Sequence, residues 1–203
     1  MTKTFEPIMV FFIGLSGSGK DEQAGRLQAA LEARDGEKSA LYIYTGEILR
    51  TLVKTGSFVG QWVGENVMKT GAKAPDSLAV WAWQQALNEK FTGREHLLFS
   101  SSPRTVLEAQ VFDDFAKAFG FARVYPIFLD VDRTVAFQRL MDRKRADDTP
   151  ETINSRLDYF EVQVRPALDY FRGKSKHRLI VIDGNPTDRQ KIHQDILKAL
   201  NLA

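Results

Sequence analysis

A glycine-rich segment near the beginning of the chain has the residue types and the spacing of a phosphate-binding loop. In "FFIGLSGSGKDEQAGRL", residues 11–27, the pattern G-x-x-x-x-G-K lies between an apolar run and a helical pattern. Glycines let successive backbone N–H groups turn toward an anion, the helix N-terminus adds positive potential, and the lysine reaches the terminal phosphates. We therefore predict a triphosphate site formed by Gly14, Gly17, Ser18, Gly19 and Lys20.

The two residues that follow this loop are acidic, Asp21 and Glu22. A loop of this type usually supplies a Ser or Thr hydroxyl that helps to hold Mg²⁺, a cation that prefers oxygen ligands. Carboxylates could take over this role, or the two acids could simply stabilise the first helical turn through the helix dipole. We predict that both residues border the triphosphate and that Glu22 holds Mg²⁺ through a water molecule.

The composition indicates one ordinary domain over residues 1–203, because 43% of the residues are hydrophobic and can close a sizeable core. The net charge of +2 gives no reason to expect nucleic acid or a membrane as a partner. The chain has no cysteine, its three histidines lack metal-ligand spacing, and its N-terminal apolar run is too short to span a membrane. We expect a cytoplasmic monomer.

Short apolar runs alternate with helical patterns along the chain. Five of these runs predict buried strands, at residues 8–13, 40–44, 96–100, 124–129 and 178–183. Helices are predicted between them at residues 20–33, 46–54, 59–69, 76–90, 106–119, 133–143, 151–171 and 187–200. This alternation predicts an α/β fold, a five-stranded parallel sheet with helices on both faces. The part between the second and third strands carries several helical patterns without a strand, which predicts a helical insertion.

Three further segments give the chain a resemblance to the adenylate kinases and, more broadly, to the nucleoside monophosphate kinases. They are "YTGEILR" (44–50), "SSSPRTVLEAQ" (100–110) and "RLMDRKRADDTPETINSRLDYF" (139–160), in the same order as in that family. The resemblance implies transfer of the γ-phosphoryl group of ATP to a nucleoside monophosphate, with ATP and Mg²⁺ as cofactors. It also implies a helical monophosphate-binding insertion at about residues 45–75 and a very short lid at about residues 143–149.

The same resemblance implies roles for individual residues. ATP would also contact Arg139 and Arg143, whereas the monophosphate site would comprise Thr45, Gly46, Arg50, Arg104, Glu108, Arg145 and Arg156. The catalytic cations would be Lys20, Arg104, Arg143, Arg145 and Arg156. The charge requirement agrees, because two nucleotides bring about six negative charges into one cleft and arginine binds phosphate in a bidentate way.

The chain also departs from the family pattern at the metal side and at the base. Ser100 stands where the family has an Asp at the end of a strand, and Glu108 stands where a glutamine recognises adenine. A carboxylate only accepts hydrogen bonds, so we expect a weakened preference for AMP and use of another monophosphate, unless Gln110 takes over.

Three functions remain open at this stage. The first is an active nucleoside monophosphate kinase of reduced rate. The second is a nucleotide-binding sensor or scaffold that has lost efficient transfer. The third, a different small-molecule kinase with a phosphate loop, is disfavoured by the segments T-G-E-x-x-R and R-A-D-D.

Overall fold

The fold is built on one parallel sheet, seen in a computed structural model that describes residues 6–143, 145 and 147–202. The strands are β1 (Ile8–Ile13), β2 (Ala40–Tyr44), β3 (His96–Ser100), β4 (Arg123–Asp130) and β5 (Ile180–Asp183), in the order β2-β3-β1-β4-β5. The predicted five-stranded parallel sheet is confirmed, and β1, β2 and β3 have the predicted bounds. Strand β4 is one residue longer at each end, and β5 begins two residues later than predicted.

The central position of β1 in the sheet explains why the sequence of this strand is continuously apolar. All six of its side chains are buried, because helices cover both faces of the sheet. Met9, Phe11 and Ile13 pack into the core layer on one face, and Ile8, Val10 and Phe12 pack into the layer on the other. This alternation is the period of two that a strand imposes on its side chains.

The helices of the described residues are bounded as follows. They are α1 (Lys20–Asp35), α2 (Thr45–Lys54), α3 (Phe58–Val63), α4 (Asp76–Lys90), α5 (Val106–Ala118), α6 (Arg133–Arg143), α7 (Pro150–Tyr159), α8 (Arg165–Gly173) and α9 (Arg189–Ala199). Helices α1 and α9 pack on one face of the sheet, and α4 to α8 contribute side chains to the core layer on the other.

Two π-helical turns interrupt helices that the sequence predicted as continuous. The predicted helix 59–69 is α3 followed by a π turn at Gly64–Met68. The predicted helix 151–171 is α7 and α8 separated by a π turn at Phe160–Val164. Pro166, which lacks an N–H group, opens α8, and the N–H of Arg165 donates to the carbonyl of Phe160 five residues earlier. The change from four-residue to five-residue hydrogen-bond spacing thus lies directly before the proline, and the helical segment stays nearly continuous.

The segment between β2 and β3 is helical, with α2, α3, the first π turn and α4 and no strand within residues 45–95. It has a small hydrophobic cluster of its own, formed by Leu49, Val63, Val67, Ala74 and Ala82. The division into one domain with an insertion at 45–75 and a lid at 143–149 stays a prediction, and Lys144 and Ala146 of that lid lie outside the described residues. No helix of the described part is long and apolar enough to cross a membrane.

Candidate active site

The phosphate loop, residues 14–20, connects the end of β1 to the beginning of α1. Gly17 and Gly19 have φ angles of 83° and 88°, in the left-handed region that favours glycine. A Cβ atom on Gly17 would also lie only 2.5 Å from the carbonyl oxygen of Ala136 on α6. The loop therefore needs glycine for its backbone conformation and, at Gly17, for its close contact with α6.

Lys20 occupies the first position of α1 and is only 7% exposed. Its Nζ donates to the carbonyl oxygen of Leu15 at 3.1 Å. Burial lowers the pKa of Lys20 to about 8, and the charges of Arg104 and two further arginines lower it in the same direction, whereas Asp21 opposes them. The ammonium group is thus held inside the loop in a strongly positive environment.

A cleft of about 650 Å³ opens above this loop and brings nearly all the predicted site residues together. Its wall includes Gly17, Ser18, Gly19, Lys20, Asp21, Glu22, Thr45, Gly46, Arg50, Arg104, Glu108, Arg139, Arg143, Arg145 and Arg156. Gly14 is the predicted site residue outside this wall, because it begins the loop beside the carbonyl oxygen of Leu129. Seven predicted cations from separate parts of the chain therefore converge on one cavity.

Two carboxylates hold two of these arginines in fixed positions. Asp148 accepts from Nε and Nη2 of Arg143 at 2.9 and 2.8 Å and from Nη1 of Arg156 at 2.7 Å. Asp147 accepts from Nη2 of Arg156 at 2.7 Å. Burial raises the pKa of Asp148, but the hydrogen bonds and charges of the two arginines outweigh it and leave the pKa below its usual range. We call this group of four side chains the arginine–aspartate clamp.

Two tyrosines that sequence reasoning missed orient three other arginines. The hydroxyl of Tyr44 accepts from Arg50 at 2.8 Å and from Arg145 at 3.4 Å, and the Arg50 guanidinium lies 5.2 Å from the Tyr44 ring centroid. Arg104 lies over the ring of Tyr159 at 5.7 Å. Among the described residues, nothing hydrogen-bonds the Arg104 guanidinium, which leaves its donors available for a phosphate. The position of Tyr44, directly before Thr45 and Gly46, was the signal available in the sequence.

Arg139 connects α6 to the turn "DGNP" at residues 183–186. Its guanidinium donates to the carbonyl oxygens of Gly184 at 3.0 Å, Asn185 at 3.1 Å and Pro186 at 3.3 Å. These bonds leave Nε and one N–H of Nη1 without a partner among the described residues, so a contact with ATP would use these donors or the face of the guanidinium. The ATP role of Arg139 stays a prediction.

Glu22 and Ser100, the two residues expected beside the metal, both already have partners in the structure. Both oxygens of Glu22 are ion-paired, one with Arg26 at 3.1 Å and the other with Arg189 at 2.9 Å. The Ser100 hydroxyl, fully buried, lies 2.7 Å from the hydroxyl of Tyr42. The metal role predicted for Glu22 stays untested, and a metal-bound water would have to share its oxygens with two arginines.

Asp21, unlike Glu22 and Ser100, has no partner among the described residues. It makes no hydrogen bond or ion pair with the part of the chain that the structure describes, and its Oδ1 is shielded from solvent. Within that part no three acidic or histidine side chains form a metal site by themselves. Mg²⁺ in nucleotide sites commonly uses one or two carboxylates together with phosphate oxygens and water. A single unpartnered carboxylate on the cleft wall therefore fits Mg²⁺ bound with a nucleotide.

Glu108 is a buried carboxylate on the wall of the monophosphate side. Its side chain is fully buried, Oε2 accepts from the backbone N–H of Arg104 at 3.3 Å, and Oε1 has no hydrogen-bond partner within the described residues. Burial raises the pKa of Glu108, whereas the charges of Arg104 and Lys73 and a hydrogen bond from the side chain of Ser102 act in the opposite direction. Gln110 is exposed and does not border the cleft, so it cannot replace Glu108 there.

Comparison with known proteins agrees with this geometry. A family model described as adenylate kinase matches residues 12–176. The chain belongs to the adenylate kinase family. It is 29% identical to an adenylate kinase of Deinococcus radiodurans, over 95% of this chain and 96% of that protein. It is 30% identical to one of Phenylobacterium zucineum, over 86% of this chain and 88% of the relative.

Membership of the adenylate kinase family identifies the general chemistry of the cleft. Adenylate kinases are transferases that use ATP with Mg²⁺ and act on a nucleoside monophosphate. The resemblance inferred from the sequence is thus confirmed, together with the phosphate-loop fold and the two cofactors.

Proposed function

We propose that this chain transfers the γ-phosphoryl group of ATP to a purine nucleoside monophosphate, giving two nucleoside diphosphates. The observation that carries this proposal is the convergence of Lys20 and six arginines on one cleft above a phosphate loop. Transfer of this kind requires charge stabilisation and alignment of the two phosphates, and a side-chain base is not needed.

The positions of the cations divide the cleft between two substrates. Lys20 and the backbone N–H groups of the phosphate loop hold the β- and γ-phosphates of ATP. Arg50, which Tyr44 orients, and Arg104, whose donors are free, bind the phosphate of the monophosphate. Bound Mg²⁺ neutralises part of the charge on the ATP phosphates.

The clamp arginines and Arg145 stabilise the negative charge on the γ-phosphoryl group during its transfer. Arg143 and Arg156 reach it from α6 and α7, and their carboxylate partners keep both guanidinium groups inside the cleft before substrates arrive. Preorganised donors of this kind stabilise a transition state without reorganising at the moment of reaction.

Glu108 favours a different base from the adenine that a glutamine recognises at this position in the family. A glutamine can donate to N1 of adenine and accept from its amino group, whereas a carboxylate only accepts. The unpartnered Oε1 together with Oε2 suits the adjacent N1–H and amino donors of guanine. The ammonium of Lys73, near enough for its charge to act on Glu108, suits the neighbouring carbonyl oxygen of guanine. We propose that Glu108 shifts the preference from AMP toward GMP.

A coupled assay for nucleoside diphosphate formation with AMP, GMP, UMP and CMP tests both parts of this proposal. We expect transfer to a purine monophosphate, and we expect Glu108→Gln to raise kcat/KM for AMP relative to GMP by about tenfold. Gln110→Ala, at an exposed position on the same helix, is the control and should leave this ratio unchanged. If Glu108→Gln also leaves the ratio unchanged, Glu108 does not recognise the base.

A second function is supported by the metal-side departures. Glu22 is occupied by arginines and Ser100 is bonded to Tyr42, an arrangement that suits a nucleotide-binding sensor or scaffold with weak or lost catalysis. Tight binding of ATP without diphosphate formation from any monophosphate would favour this alternative over the kinase.

A further inference from the structure

We infer that Asp21, rather than Glu22, is the side chain that holds Mg²⁺ beside the triphosphate. This inference rests on the proposed binding of ATP at the phosphate loop, but not on the rate of phosphoryl transfer. It assigns to this chain a metal contact made from the helix that follows the loop.

Asp21 directly follows Lys20 and is the second residue of α1. In the general phosphate-loop pattern G-x-x-x-x-G-K-[ST] this is the position of the Ser or Thr hydroxyl, whereas in the G-K-G-T loop of the adenylate kinases Asp21 stands for the Gly and Glu22 for the Thr. Asp21 also borders the cleft in which the phosphates of ATP would bind. A carboxylate at this position offers a harder and more strongly charged oxygen than a hydroxyl.

One carboxylate oxygen of Asp21 is unsatisfied within the described part of the chain. Oδ1 is shielded from solvent and has no hydrogen-bond partner among the residues that the structure describes. A buried carboxylate oxygen without a donor costs free energy, and a bound cation or a cation-bound water removes this cost. Glu22, one residue later, has both oxygens paired with arginines and so lacks this requirement.

Asp21 also lies close to several charged and polar groups of the site. The charge of Asp21 acts on Lys20 in the loop, on Tyr42 at β2, and on Arg104 and Arg145 across the cleft. The Tyr42 hydroxyl in turn contacts Ser100 at the end of β3. Asp21 therefore supplies a negative charge near the end of β3, where Ser100 is neutral.

This position has a consequence for nucleotide binding. Without a divalent cation, Asp21 repels the phosphates that the loop attracts, so it weakens the binding of free ATP. With Mg²⁺ between them, the same carboxylate becomes attractive. Asp21 thus makes binding of the nucleotide and binding of the metal depend on each other.

Calorimetry with the β,γ-imido analogue of ATP, in excess Mg²⁺ and in EDTA, measures this coupling without turnover. For Asp21→Asn we expect about fivefold tighter binding in EDTA, because a like charge is removed. We expect weaker binding in Mg²⁺, so that the ratio of the two dissociation constants falls by about tenfold or more. Glu22→Gln is the matched control and should change this ratio by less than about twofold.

Two further measurements keep the test independent of folding and of catalysis. Circular dichroism establishes that each variant is folded, and Asp21→Ser, which introduces the hydroxyl of the general phosphate-loop pattern, should retain more of the coupling than Asp21→Asn. Electron paramagnetic resonance of Mn²⁺ with the same analogue should show about tenfold weaker metal binding to the Asp21→Asn complex. An unchanged coupling ratio in folded Asp21→Asn overturns the inference, and a reduced ratio in Glu22→Gln assigns the metal to Glu22. Absence of analogue binding by the wild type would instead contradict the proposed function.

Discussion

Lys20 is buried and lies near several arginines, and both effects lower the pKa of its ammonium group. The charge of Lys20 therefore changes with pH just above neutrality. Its pKa of about 8 means that the free protein loses this charge as the pH rises through that value. Bound phosphates favour the charged form and raise the pKa again, so binding of ATP must take up protons between about pH 8 and 9.

We predict that ATP affinity decreases as the pH rises above about 8, and that Lys20→Met reduces affinity about 10- to 100-fold at pH 7. Calorimetry in two buffers of different ionisation enthalpy measures the proton uptake, which Lys20→Met should abolish. Lys117→Ala, an exposed position away from the cleft, should retain both the affinity and the proton uptake. Equal affinity for ATP in the Lys20 variant would remove the loop lysine from the mechanism.

The raised pKa of Glu108 predicts that the choice of base depends on pH. The carboxyl group stays neutral to a higher pH than an ordinary glutamate because of burial, while Arg104 and Lys73 oppose this effect and Asp76 adds to it. In its neutral form the group can donate and accept, as adenine requires, so lowering the pH should increase kcat/KM for AMP relative to GMP. Measured against pH, the ratio should change for the wild type and stay constant for Glu108→Gln.

The residues of the site differ in how well the sequence predicted them. Motif spacing located the loop, and the resemblance to the adenylate kinases indicated the arginines, a residue type that phosphate binding requires. It could not show that Glu22 pairs with Arg26 and Arg189, since Arg189 lies on another helix far along the chain. For the same reason the free oxygen of Asp21 became visible only in the structure.

At the level of elements, the clamp joins the end of α6 to α7 and should be important for stability. The Asp148 side chain is fully buried, so Asp148→Asn removes a charge that two arginines share. We predict a loss of about 3 kcal/mol in the free energy of unfolding at pH 7, measured by urea denaturation.

The contribution of Asp148 to the free energy of unfolding depends on pH. The folded-state pKa of Asp148 is depressed, so its contribution is complete above the ordinary value of 3.8 and is lost as the pH falls through the folded-state value. The difference between wild type and Asp148→Asn should therefore shrink in acid. Asp158→Asn, which removes an exposed pair with Arg133, should change stability by less than about 0.5 kcal/mol. Equal stability of both variants at pH 7 would contradict a structural role of the clamp.

The helices between β2 and β3 have their own small core, and we predict that they open independently of the sheet. Val63 is fully buried in this cluster, so Val63→Ala should cost about 2 kcal/mol locally. Hydrogen exchange should become faster in α2 and α3 and stay unchanged in β1. Val162→Ala, at a position 75% exposed, is the matched control. Equal acceleration in β1 and α2 would show that the cluster unfolds only with the whole molecule.

The elements themselves were largely predictable, because buried strands and amphipathic helices have different periods. The π turns were not, because both lie within segments whose patterns are helical throughout, and a proline, Pro166, lies beside only the second of them. The order of the strands was also not predicted, because it depends on which face of the sheet each crossover takes.

Across the whole molecule, the near-neutral net charge conceals a strongly asymmetric distribution. Composition alone predicted no bulk attraction to anions, yet two lysines and seven arginines of the described residues line a single cleft. Within the described chain, five acidic residues on the same wall offset part of this charge, and acidic residues outside the cleft balance the remaining excess, so the attraction is concentrated at the site. The family resemblance predicted this concentration of charge, and the structure shows the tyrosines and carboxylates that maintain it.

The aromatic packing around Trp83 gives the protein a natural optical probe. Trp83 is fully buried, stacked on Phe112 at 4.5 Å, and its indole nitrogen has no partner among the described residues. Trp62 and Trp81, by contrast, are 39% and 43% exposed. Short-wavelength emission that iodide cannot quench should therefore come from Trp83 and report the integrity of the core, whereas the quenchable fraction should report on α3 and α4. Replacing Trp83 with Phe should remove only the unquenched emission, so an unlabelled sample can show which part of the molecule loosens first.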